Sequence, residues 1–113
     1  MVLGETEAEA HDYLAEYVDR KGDWDAVTTL IDTMGINAQT FTPEQLKAMK
    51  RHFIAGWGGF PLVGTKEQIV DMLGKLNGCG FNGVVLTFPR FHDDMVAFRD
   101  KVYPLVVQAG LRS

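Results

Sequence analysis

One cysteine, Cys79, is all the thiol chemistry that this 113-residue chain holds. That excludes an internal disulfide and any cysteine-rich zinc site. Within GCGF at a helix-to-strand turn, Cys79 reads as a small buried residue rather than a reactive thiol. No apolar run approaches the roughly 20 residues that would span a membrane. Basic residues are the minority, 11 against 15 acids. No basic stripe is interleaved with aromatics, which argues against a nucleic-acid binder. The opening MVLGETEAEAH has neither the basic start nor the apolar core of a secretory signal, and the location expected is cytoplasmic. There is no linker, low-complexity stretch or internal repeat.

What is present is the composition of a globular domain, 46% hydrophobic and 23% charged, at a length that allows a real core. Its charge is uneven. Residues 1–34 hold nine acids against Arg20 and Lys21, a net of −7, and the rest of the chain nets +3. Such an acidic front is either a solvated face or a surface that docks on the basic rear of another copy.

The apolar spacing predicts a helix over 5–20, with Ala10, Tyr13, Leu14, Tyr17 and Val18 on one face. Lys21 and Gly22 end it. Asp23 then caps a second helix that turns Trp24, Val27, Leu30, Ile31 and Met34 to one side and stops at Gly35. Thr42-Pro43-Glu44-Gln45 starts a third, with threonine as cap, proline in the first position and Gln45 closing a capping box. Its apolar face runs through Leu46, Met49 and Phe53 to Trp57.

After GWGGF at 56–60, residues 61–64 (PLVG) read as a short strand. A second capping box, Thr65 with Gln68, opens a helix whose Ile69, Met72, Leu73 and Leu76 are spaced to pack on a sheet. Residues 83–88 (GVVLTF) follow at the loop length usual for strand–helix units. They are apolar nearly throughout, as strands buried on both faces of a parallel sheet are. The last helix, from about 92, directs Met95, Phe98, Val102 and Leu105 inward, with Pro104 making its final turn irregular. The order is three helices, then β-α-β-α. A strand such as GVVLTF finds almost nothing in this chain to pair with, so its neighbours are expected from outside these residues.

Few side chains are spaced for chemistry. His11, His52 and His92 fall on three different helices. His52 reads as partly buried packing or as a base. His92-Asp93-Asp94 reads as a hard-metal cluster or, more simply, as acids favoured at a helix start. VGTKEQ, with Lys66, has the ingredients of a phosphate cradle, but its spacing is neither GxGxxG nor GxxxxGK[ST]. A capped helix beside a glycine loop explains it as well.

The segments GWGGFPLVGTKEQIVDML, GFNGVVLTFPRF and FRDKVYPLVVQAGLR resemble the C-terminal end of the luciferase-like flavin-dependent monooxygenases. The detail is closest to the branch acting on alkanesulfonates, sulfones and pyrimidines. Residues 1–55 are similar in character to the helical stretch before the seventh strand of those enzymes.

The resemblance implies an α/β chain that forms the C-terminal βαβα portion of a TIM-type (β/α)₈ barrel, incomplete as it stands. A helical segment over 1–55 would precede the last two strand–helix units over 56–113, all within one structural domain. It implies reduced FMN, or a deazaflavin, with oxygen as co-substrate and a separate flavin reductase. Active sites of such barrels lie at the C-terminal ends of the strands. Carried onto this chain, that points to Thr87, Phe88 and Arg90 after the last strand, and to Trp57 and Phe60 on the loop before the seventh. Phe88 would wall the flavin or substrate pocket. Arg90 would either hold an anionic group or serve as a surface charge.

A whole barrel needs about 250 residues, so strands one to six and the catalytic residues they carry are not here. The chain alone is expected neither to bind flavin nor to turn over. Two readings follow, a monooxygenase fragment that works only with the missing strands, and a non-catalytic module that associates through GVVLTF. A phosphate-binding βα module built on VGTKEQ is a third.

Overall fold

The computed structural model describes residues 1–36 and 39–113. The chain divides into two compact units, one made of Met1–Tyr13 and Leu62–Ser113, the other of Leu14–Pro61.

The first unit is α/β. Strand β1 (Val2–Leu3) pairs in parallel with β2 (Val63–Gly64), Val2 beside Val63 and Leu3 beside Gly64. The Val2 N–H donates to the Leu62 carbonyl at 2.7 Å and the Gly4 N–H to Gly64 at 3.1 Å. β2 falls inside the expected PLVG strand. β1 was not expected, because two apolar residues are too few to display a period of two. Helix α1 (Glu7–Ala15) follows β1. Parallel neighbours cannot be joined by a hairpin, and here some sixty residues, helices included, intervene between them.

Helix α4 (Lys66–Gly78) opens on the anticipated capping box. The Thr65 hydroxyl accepts from the Gln68 N–H, and the Gln68 side chain accepts from the Thr65 N–H. Its fully buried Ile69 packs with Val102 and Val106, and Leu3, Leu73 and Phe98 close around them. The last helical stretch comes in three pieces. Helix α5 (Phe91–Ala97) leads through a π-helical turn (Phe98–Val102) into α6 (Tyr103–Gln108). The irregularity expected in the final turn lies instead one turn earlier, before Pro104, and the final turn itself is α-helical. Proline has no N–H to donate and its ring crowds the carbonyl four residues back. A wider turn removes that clash, and the Tyr103 N–H reaches five residues back to Phe98.

Expectations fail in this unit at residues 83–88, at Met95 and at Cys79. Residues 83–88 form no strand. A strand exists only where a neighbour takes its backbone N–H and C=O groups. Among the described residues, the one hydrogen bond reaching 83–88 is from the Met1 ammonium to the Thr87 carbonyl, at 2.6 Å. Val85 is 96% exposed. Met95, assigned to the core, is exposed as well.

In the second unit the first helix ends in a π-helical turn (Glu16–Arg20). Helix α2 (Trp24–Thr33) is capped by Asp23, which accepts from the Ala26 N–H, and it buries Val27 and Ile31. Gly35 follows it with φ +74°. Helix α3 (Pro43–Gly56) carries the full Thr42–Gln45 capping box. Arg51 on α3 grips Asp19 with two hydrogen bonds of 2.9 Å, and the Tyr17 hydroxyl donates to the Ala55 carbonyl at 2.9 Å. Leu14 and Val18 are buried as the spacing foretold, whereas Met34 lies exposed.

Candidate functional site

The densest polar arrangement in the first unit gathers Tyr13, Arg90 and Asp94. The Arg90 N–H donates to Asp94 Oδ2 at 2.9 Å, so Asp94 steadies the start of α5. The Arg90 guanidinium lies over the Tyr13 ring, 4.7 Å from its centre. Its Nε donates to the Tyr13 hydroxyl at 3.1 Å, and that hydroxyl donates to Asp94 Oδ2 at 3.2 Å. Arg90 Nη2 stands 3.6 Å from Asp94 Oδ1. Burial lifts the Tyr13 hydroxyl above its ordinary value, and the Asp94 charge adds to this while Arg90 opposes it. Tyr13 therefore stays a neutral donor at physiological pH.

Of the expected site residues, three lie in this unit. Thr87 presents its carbonyl to the Met1 ammonium. Burial lowers that ammonium below its usual value, with Asp94 pulling the other way. Phe88 turns its ring against Phe98, with centres 6.2 Å apart, and Phe98 in turn meets Tyr103 at 6.4 Å. Arg90 is tied to Asp94 and Tyr13, with its side chain still 65% exposed.

Trp57 and Phe60 belong to the second unit, with side chains 76% and 65% exposed. Trp57 is the C-terminal cap of α3, and its φ of +56° is the left-handed conformation that glycine normally supplies. Its N–H donates to the Phe53 carbonyl, and the Gly58 N–H to His52. An aromatic residue accepts that conformation at some steric cost, and here its indole is left in solvent.

The remaining candidates resolve simply. Thr65 and Gln68 satisfy the start of α4 from within, and Gln68 Nε2 donates to Glu7 at 3.1 Å. Lys66 stands 3.8 Å from Glu67. Carboxylates from Glu7 and Glu67 beside that helix start disfavour a phosphate there. His52 is exposed rather than packed, and His11 and His92 are exposed too. Among the described residues no group of three His, Cys, Asp or Glu side chains converges. Cys79, expected to be buried, is exposed at the end of α4, because no strand follows to cover the turn.

Tyr13 was not read as a site residue, and Asp94 was read only with His92 and Asp93, as a metal cluster or as acids at a helix start, not as a partner of Arg90. Asp94 had a signal, since it lies four residues after Arg90 on a helix. Tyr13 had none beyond its place in an apolar stripe, because its partners are about eighty residues away.

The chain matches no protein-family model, no curated protein and no solved structure.

Proposed function

We propose that this chain is the C-terminal portion of a luciferase-like, FMNH₂- and oxygen-dependent monooxygenase barrel, active only when its missing strands are supplied. The observation that carries the reading is the state of residues 83–88. They are mostly apolar and half of them β-branched, yet among the described residues they lie unpaired near a parallel sheet only two strands wide. A two-stranded parallel sheet is too small to stand alone. Its growth into a larger parallel sheet would take up GVVLTF as a buried strand. The resemblance of the three motifs to that enzyme family supplies the identity of the larger sheet.

Residues 1–113 do not by themselves fit a flavin. The Arg90 charge is shared with Asp94, the start of α4 is capped from within, and Phe88 packs on Phe98. In the completed barrel these residues would act as a wall and a rim, while binding and orientation of the cofactor rest on strands not present here.

The reading is tested by titrating FMN fluorescence with the chain alone, and with the chain co-expressed beside the first six strands of a luciferase-like monooxygenase. It expects no quenching by the chain alone and saturable quenching by the co-purified assembly. Tight flavin binding by the isolated chain contradicts it, as does failure to associate with the added strands.

A further inference from the structure

We propose that in the absence of other strands residues 83–88 pair with the same residues of a second copy of this chain, antiparallel across a two-fold axis. The backbone there is open. Among the described residues only the Thr87 carbonyl is engaged, so a row of donors and acceptors awaits a partner. From Val85 to Phe88 the ribbon already alternates as a strand does, with Val85 and Thr87 exposed and Leu86 and Phe88 half-buried, whereas Gly83 and Val84 before them are both exposed.

Both of its ends are held. At the front, the Phe81 N–H donates to Leu76 and the Asn77 side chain donates to the Phe81 carbonyl at 3.3 Å. At the rear, the Arg90 N–H is bound by Asp94. A segment pinned at both ends loses less freedom on pairing than a loose one.

Charge selects the occupant. Residues 81–88 (FNGVVLTF) carry no charged side chain and no proline. An antiparallel pairing centred on Val85, or between Val85 and Leu86, sets Arg90 opposite Gly80 or Phe81 and never opposite itself. No like charges meet, and such meetings are what destabilise cross-strand pairs. A charged foreign strand would find nothing complementary on this ribbon. The two-fold arrangement is closed, so it ends at a dimer. One ribbon pair covers less than the roughly 1,200–2,000 Å² of stable complexes. The dissociation constant should therefore lie at about 10–1,000 μM.

This inference goes beyond the flavin reading and does not depend on it, since its test uses neither flavin nor added strands. Sedimentation of the full chain over rising concentration should show the mean mass moving from one chain toward two. Val85→Pro removes an N–H with no partner and should weaken association at least tenfold, with melting in dilute solution unchanged. Val85→Asp should do the same, with partial recovery in high salt. A wild-type chain that stays monomeric at millimolar concentration overturns the proposal. So does a V85P chain that associates as well as wild type, or a mass that grows without limit past two chains.

Discussion

Arg90 and Tyr13, seventy-seven positions apart, form one clasp: the guanidinium lies over the ring and hydrogen-bonds the hydroxyl at its edge. Asp94 closes it from the other side. The clasp joins α1 to the start of α5 directly after the unpaired ribbon. Tyr13→Phe keeps the ring and removes two hydrogen bonds, and should cost about 1 kcal/mol in urea unfolding. Asp94→Ala removes a largely buried carboxylate, only 13% exposed, and leaves the Tyr13 hydroxyl and the Arg90 donors without their acceptor. Its loss should be greater, about 1.5–3 kcal/mol. The Y13F and D94A effects should fall short of additive, because the two share a bond.

Two glycines of neighbouring elements should respond in opposite directions. Gly64, in β2, has φ +149°, and a β-carbon there would meet Gln68 Oε1 at 2.4 Å. Gln68 Oε1 is the acceptor that completes the α4 cap. Gly64→Ala should therefore lower stability by about 1–3 kcal/mol. Gly74, inside α4, has open space around its would-be β-carbon. Gly74→Ala should raise stability by up to about 1 kcal/mol. Thermal melts of the two variants decide the matter.

Trp57 occupies a left-handed position with its side chain mostly in solvent. Trp57→Gly should stabilise the second unit by roughly 0.5–1 kcal/mol, as relief of backbone strain at such caps does. If the chain completes a flavin-dependent barrel, as proposed, and the indole walls its pocket, the same variant should lose flavin or substrate affinity in the assembled form. Calorimetry of the chain and titration of the assembly measure the two effects separately.

Asp19 is held below its ordinary carboxyl value by hydrogen bonds from Arg51, and desolvation only partly offsets them. A carboxyl whose folded-state pKa is depressed adds stability that is full above the unfolded value. That stability is lost as the pH falls through the folded value. Both partners are more than a third exposed, so the pair is worth under about 1 kcal/mol after screening. Wild type should melt slightly above Asp19→Asn at neutral pH, and the gap should close as the pH drops below the ordinary carboxylate range. A gap that widens in acid would contradict the assignment.

What could be read from the chain was local. The Thr42–Gln45 and Thr65–Gln68 boxes, the Asp23 cap and the stripe through Ala10, Leu14 and Val18 all act within a few residues, and all are present. Pro104 announced an irregular turn for the same reason, although that turn precedes the proline and the expected final turn is regular. What went astray depended on distant partners. Residues 83–88 have strand chemistry but, among the described residues, no strand beside them, so their apolar pattern overstated their order. β1 was missed because two residues carry no period, and the Tyr13 clasp because its members are far apart in the chain. Cys79 was misplaced inward by the same error, since a formed strand at 83–88 would cover the turn in which it sits.

Hydrogen exchange across residues 81–88, followed peptide by peptide, tests most directly whether this ribbon is completed from outside. The amides of Val84, Val85 and Leu86 should exchange almost as fast as in an unfolded chain when the protein is dilute and alone. They should slow at least a hundredfold once a strand from another polypeptide is bound. Protection already present in the dilute monomer, or none gained on association, would contradict the account.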